Sequence, residues 1–62
     1  MTKINNLPIS VRANLNALQP YIVARLCDGE WWYWGQWDDC YEAHQAACEI
    51  GGEVFRKSEI LA

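Results

Sequence analysis

Between Tyr21 and Trp37 the apolar side chains fall on both parities of the chain, whereas a half-buried strand alternates apolar with polar. Tyr21-Ile22-Val23-Ala24-Arg25-Leu26-Cys27 is rich in β-branched and aromatic residues and reads as a strand. Asp28-Gly29 follows it, a pair that tolerates the positive φ demanded by a two-residue type I′ turn. That turn pairs Cys27 with Glu30, Leu26 with Trp31, Arg25 with Trp32, Ala24 with Tyr33 and Val23 with Trp34. One face of the hairpin then carries Ile22, Ala24, Leu26, Trp31 and Tyr33, and the other carries Tyr21, Val23, Arg25, Trp32 and Trp34. Neither is polar, so both need covering, by the N-terminal segment, a second copy or a partner.

Asp39 followed by Glu42 makes a capping-box-like start, with Asp38 the alternative cap, and Gly51-Gly52 supplies a stop. The helix between them, Cys40 to Ile50, gathers Cys40, Ala43, Ala47 and Ile50 on one side, with Ala46 beside them and Glu42, Gln45 and Glu49 opposite. An alanine face suits close packing on a sheet studded with tryptophan. The expected seat is the Trp31/Tyr33 face, because Ile22, Ala24 and Leu26 join it without a charge. Glu53 to Lys57 reads as a short third strand centred on Val54 and Phe55. The tail from Ser58 to Ala62 packs through Ile60 and Leu61 or frays.

Residues 4–19 fit two patterns. Ile4, Leu7, Val11, Leu15 and Leu18 form a helical stripe with Pro8 in the first turn. Ile9, Val11, Ala13 and Leu15 also alternate with Ser10, Arg12, Asn14 and Asn16, as in a strand. Ala, Leu, Arg and Gln outnumber β-branched residues here, which favours the helix. The predicted fold is a single α+β domain over residues 1–62. It consists of an antiparallel β-hairpin followed by a helix and a short third strand, with an N-terminal helix or strand.

Composition sharpens this picture. At 62 residues the chain is near the lower limit for a self-sufficient core, and its 52% hydrophobic and 13% aromatic content supplies one. Such a composition excludes disorder. Residues 1–27 carry Lys3, Arg12 and Arg25 and no acid, while Asp28 onward holds all eight carboxylates against Arg56 and Lys57. The resulting net charge of −3 argues against binding driven by phosphate contacts, which draws on several Lys or Arg side chains. The three cysteines match no small-domain disulfide framework. There is no basic-then-apolar leader after Met1, and no run approaches the ~20 apolar residues needed to span a bilayer. The expectation is a cytoplasmic protein with reduced thiols and no membrane association.

Candidate chemistry is sparse. Cys40, His44 and Cys48 lie on one helical stripe, with Cys27 in the neighbouring hairpin, which is the composition of a Cys₃His zinc site. Residues eight apart on a helix are separated by about 12 Å, so one ion takes Cys40 with His44 or His44 with Cys48, never all three. The cysteines therefore read as small hydrophobes, and no metal or cofactor is expected. His44 beside a thiol has no third orienting group and no oxyanion loop, so the chain reads as no enzyme. Arg25 opposite Trp32 is either a cation–π pair or ordinary packing over an arginine stem.

Trp34-Gly35-Gln36-Trp37-Asp38-Asp39, followed by Glu42-Ala43 and Ala46-Ala47, resembles the strand-to-helix junction of small DNA-binding domains built from a sheet and one helix. The plant ethylene-response-factor domain and the arm-binding domain of tyrosine-type phage integrases are of this kind, and the resemblance covers residues 21–48. It implies a three-stranded sheet with Ser10-Val11-Arg12 in the first strand. It also implies a sheet face that reads DNA through arginines interleaved with aromatics, here Arg12 and Arg25 with Trp31 and Tyr33.

The aromatic faces themselves are open to three roles: core, a surface for a protein partner or a second copy, and a stacking platform for single-stranded nucleic acid or sugar. The expected role is a non-enzymatic interaction module. It presents an aromatic sheet surface of Tyr21, Arg25, Trp32 and Trp34 to a protein partner or to its own copy as a homodimer. The alternative is a nucleic-acid-binding module that uses the sheet with Arg12 and Arg25.

Overall fold

The computed structural model describes residues 1–61. In chain order the elements are β1 (Thr2–Asn5), α1 (Ile9–Ala13), a 3-10 turn (Leu15–Ala17), β2 (Tyr21–Cys27) and β3 (Glu30–Trp37). They continue with α2 (Cys40–Ile50), β4 (Glu53–Arg56), a second 3-10 turn (Lys57–Glu59) and β5 (Ile60–Leu61). The fold is α+β, as the sequence predicts, around a five-stranded mixed sheet in the order β4-β2-β3-β1-β5.

That order forces the sheet to curl. β4 and β5 form its two edges, yet only Lys57–Glu59 joins them. Four residue steps reach at most about 14 Å, whereas the edges of a flat five-stranded sheet stand about 19 Å apart. All five strands consequently contribute to one concave core. Ile4, Ile22, Ala24 and Ile60 are buried there, with Trp31, Tyr33 and Phe55 packed against them. Leu7, Val11 and Leu18 fill the remainder from the N-terminal segment. A second, smaller cluster lies on the convex side, where Val23, Ala43 and Ala47 are buried among Tyr21, Trp37, Ala46, Ile50 and Val54.

The hairpin turn has the expected chemistry, with φ of 52° at Asp28 and 79° at Gly29. Cys27 faces Glu30, Leu26 faces Trp31, Arg25 faces Trp32 and Ala24 faces Tyr33. Beyond that point the expected pairing of Val23 with Trp34 is replaced by Val23 with Gly35, because β3 carries one extra residue at Trp34. This bulge reverses the facing of everything after it. It turns Trp37 onto the convex side, where the indole lies over Gly35: a Cβ there would come within 2.7 Å of the ring.

The seat of α2 differs from the expectation. The helix packs on Tyr21, Val23 and Val54, not on the Trp31/Tyr33 face. β3 and β4 both run antiparallel to β2, so they are mutually parallel, and β3-α2-β4 is a crossover that straddles β2. Crossovers between parallel strands are right-handed almost without exception. With β4 beyond β2, that hand puts the helix on the Tyr21/Val23 side. The alanines then permit close approach, and α2 ends where Gly51 takes the left-handed conformation at φ 69°.

The N-terminal segment is both a strand and a helix. Ile4 lies in β1, opposite Trp31, and its strand runs parallel to β3 and to β5. Asn6 at φ 65° breaks the strand, and α1 starts after Pro8. Ser10-Val11-Arg12, matched above to a first strand, is therefore helical. Of the C-terminal tail, Ile60 is fully buried and pairs with Thr2; Ala62 lies outside the described residues.

Candidate interaction surface

α2 covers only part of the convex side, and the rest carries the candidate residues. The register sets Asn5 beside Trp32 and Trp32 beside Arg25, a row across β1, β3 and β2. Arg25, Cys27, Trp32, Tyr33 and Trp34 line an open concavity of about 400 Å³. Trp32 and Trp34 are 43% and 55% exposed, whereas Trp31 and Trp37 are half-buried in the two clusters. The aromatic contact made inside the molecule is Trp31 edge-on to Phe55.

Of the residues expected at a contact surface, the structure brings Arg25, Trp32 and Trp34 together. Tyr21 is apart from them. It is half-buried against the α2 cluster and lines a different hollow with Pro20, Arg56, Lys57 and Ser58. Its hydrophobic neighbours on β2 and β4 are what the helix covers. Arg12 and Arg25 are also separate, because the Arg12 guanidinium donates from Nε to the Leu7 carbonyl at 2.9 Å and borders a hollow formed by Lys3 to Leu7. Asn5 was not legible as a surface residue, since its place depends on β1. Its Nδ2 donates to the Trp31 carbonyl at 3.1 Å and ties the row together from the backbone side.

Tyr33 links this surface to the concave core. Burial raises its phenol above the ordinary value of 10.0, against a smaller opposing effect of the Gln36 side chain. A phenol held neutral by folding contributes stability that is complete below the unfolded pKa and lost as pH rises through the folded one. Stability should therefore fall as the pH climbs past about 10. Tyr33→Phe should soften that decline, which urea unfolding at a series of alkaline pH values would measure. An unchanged pH profile in the variant would exclude Tyr33 as its source.

All three cysteines are free and exposed. Cys40 Sγ lies 3.3 Å from His44 Nδ1, which is in turn 2.9 Å from the Cys40 carbonyl oxygen. Among the described residues no group of three or more His, Cys, Asp or Glu side chains converges as a metal site would require. The fold is expected to rest on the two hydrophobic clusters, so the circular-dichroism spectrum should be unchanged by a strong chelator. Unfolding by the chelator, reversed by zinc, would contradict this.

No helix among the described residues is long and apolar enough to cross a membrane. No protein-family model, no curated protein and no solved structure matches the chain.

Proposed function

We propose that this domain is a non-enzymatic interaction module whose convex hairpin surface, Arg25 with Trp32 and Trp34, contacts a protein partner or a second copy. One observation carries the reading: two of the four tryptophans stand in water on the uncovered part of a face whose remainder packs a helix. A 62-residue chain has little apolar surface to spare for its core. Leaving two of its four largest rings outside it is consistent with a role in contact. Tryptophan beside arginine is also the usual make-up of an interface hot spot. The rings alone fall short of the ~800 Å² per partner of a standard interface, so flanking residues such as Asn5 and Cys27 belong to the contact.

Arg12 and Arg25 border separate hollows, which favours a protein over nucleic acid. Light scattering across a concentration series, on the wild type and on the Trp32→Ala/Trp34→Ala double variant, tests the reading. A dimer that the double variant converts to a folded monomer supports contact between copies. A tight complex with single-stranded DNA, weakened by salt and by Arg25→Ala, would replace the protein reading with the nucleic-acid one.

A further inference from the structure

We propose that Cys40 and His44 form half of a surface site for a thiophilic divalent cation such as Zn²⁺, and that a second copy of the chain completes it. Both residues are exposed on α2, one turn apart, with Sγ and Nδ1 separated by 3.3 Å. In tetrahedral zinc sites, with Zn–S near 2.3 Å and Zn–N of 2.0–2.1 Å, a sulfur and a nitrogen on the same ion stand about 3.6 Å apart. The pair therefore opens by only a few tenths of an ångström to take an ion. Nδ1–H now donates to the Cys40 carbonyl oxygen at 2.9 Å; to bind the ion the imidazole moves its proton to Nε2 and turns the freed Nδ1 lone pair to the metal.

One chain offers these two ligands and no more. Cys48 is exposed, but it is about 12 Å from Cys40 along the helix axis, and no third ligand converges among the described residues. Two chains related by a two-fold axis supply two thiolates and two imidazoles, the four-coordinate set of a structural zinc site. The charge balances: Zn²⁺ and two thiols give a neutral zinc dithiolate and release two protons to solvent. The surroundings make the association depend on the metal. Asp38 and Asp39 immediately precede the pair, and α2 contains no Lys or Arg, so two such helix ends repel each other until a dication lies between them.

The test uses the full chain, reduced and stripped of metal, titrated with Co²⁺ as a spectroscopic probe and with Zn²⁺. The expected result is one ion per two chains, a thiolate-to-cobalt charge-transfer band, and a doubling of the mass in light scattering that EDTA reverses. Cys40→Ser and His44→Ala should each remove the doubling and weaken binding by more than the roughly tenfold that even outer-shell changes cost. Circular dichroism should show both variants folded. Cys27→Ser, Cys48→Ser and the Trp32→Ala/Trp34→Ala variant should bind as the wild type does, which separates this site from the convex hairpin surface. No cobalt band in the wild type, or one that survives Cys40→Ser, would overturn the site. A tight complex of one ion with one chain would overturn its completion by a second copy.

Discussion

Gly52→Ala should destabilise the domain by about 3 kcal/mol, the upper end of what overpacking a core costs. Gly52 joins α2 to β4, and its N–H donates to the Ala47 carbonyl at 2.8 Å. A Cβ on it would sit 2.5 Å from the carbonyl oxygen of Ala24 and 3.1 Å from Ile50 Cδ1. The first obstacle is backbone and cannot rotate away. Ala24 is fully buried, and it pairs with Tyr33 on one side and Glu53 on the other. Relief therefore requires α2 to lift from the sheet or β4 to part from β2. A domain of 62 residues has only about 3–9 kcal/mol to lose at 0.05–0.15 kcal/mol per residue. Gly51→Ala is the control, because a Cβ there meets open space and the loss is limited to the ~1–2 kcal/mol of a left-handed backbone. Equilibrium urea unfolding of the two variants measures both. A larger loss at Gly51 than at Gly52 would mean that the helix–strand junction gives way easily.

The parts of the fold legible in the sequence are those that local chemistry determines. Asp28-Gly29 sets the hairpin and four of its pairs, Asp39 and Gly51 bracket α2, and Val54-Phe55 mark β4. What escaped is determined by residues distant in sequence. β1 consists of Thr-Lys-Ile-Asn, a weak strand by propensity, held because Ile4 completes the concave core between β3 and β5. The tertiary setting overrides the helical stripe into which Ile4 otherwise fits. The bulge at Trp34 leaves no mark in the hydrophobic pattern, because aromatics occupy both parities there; Gly35 beneath the Trp37 ring is its trace. The seat of α2 follows from crossover handedness. Reading it requires knowing that β4 lies beyond β2, which the alternation of side chains does not carry. Arg25 and Trp32 were legible as surface candidates because the register from the turn holds through Tyr33, whereas Trp34 joins them as the bulged residue. Tyr21 stands apart from them because α2 covers its end of the shared face.

Two adjacent tryptophans on one strand should give opposite results when truncated. Trp31→Ala is expected to cost about 3–5 kcal/mol, enough to unfold much of the population. Trp32→Ala should remain within about 1 kcal/mol of the wild type, as surface substitutions generally do. Trp31 points into the curled sheet, with its ring centroid 5.0 Å from that of Phe55 and the planes at 78°. β3 and β4 are not neighbours in the sheet, so this edge-to-face contact spans the strand between them and fastens the curl from inside. Such geometry adds about 0.5–1.5 kcal/mol beyond the buried area. Trp32 points the other way, 43% exposed and flanked by Asn5 and Arg25. Its loss removes contact surface and leaves the concave core as it was. Urea unfolding separates the two variants, and light scattering then reads whether Trp32→Ala has lost association while keeping its fold. If Trp32→Ala unfolds a monomeric chain as readily as Trp31→Ala does, its ring serves the core and the convex hairpin surface is no interface.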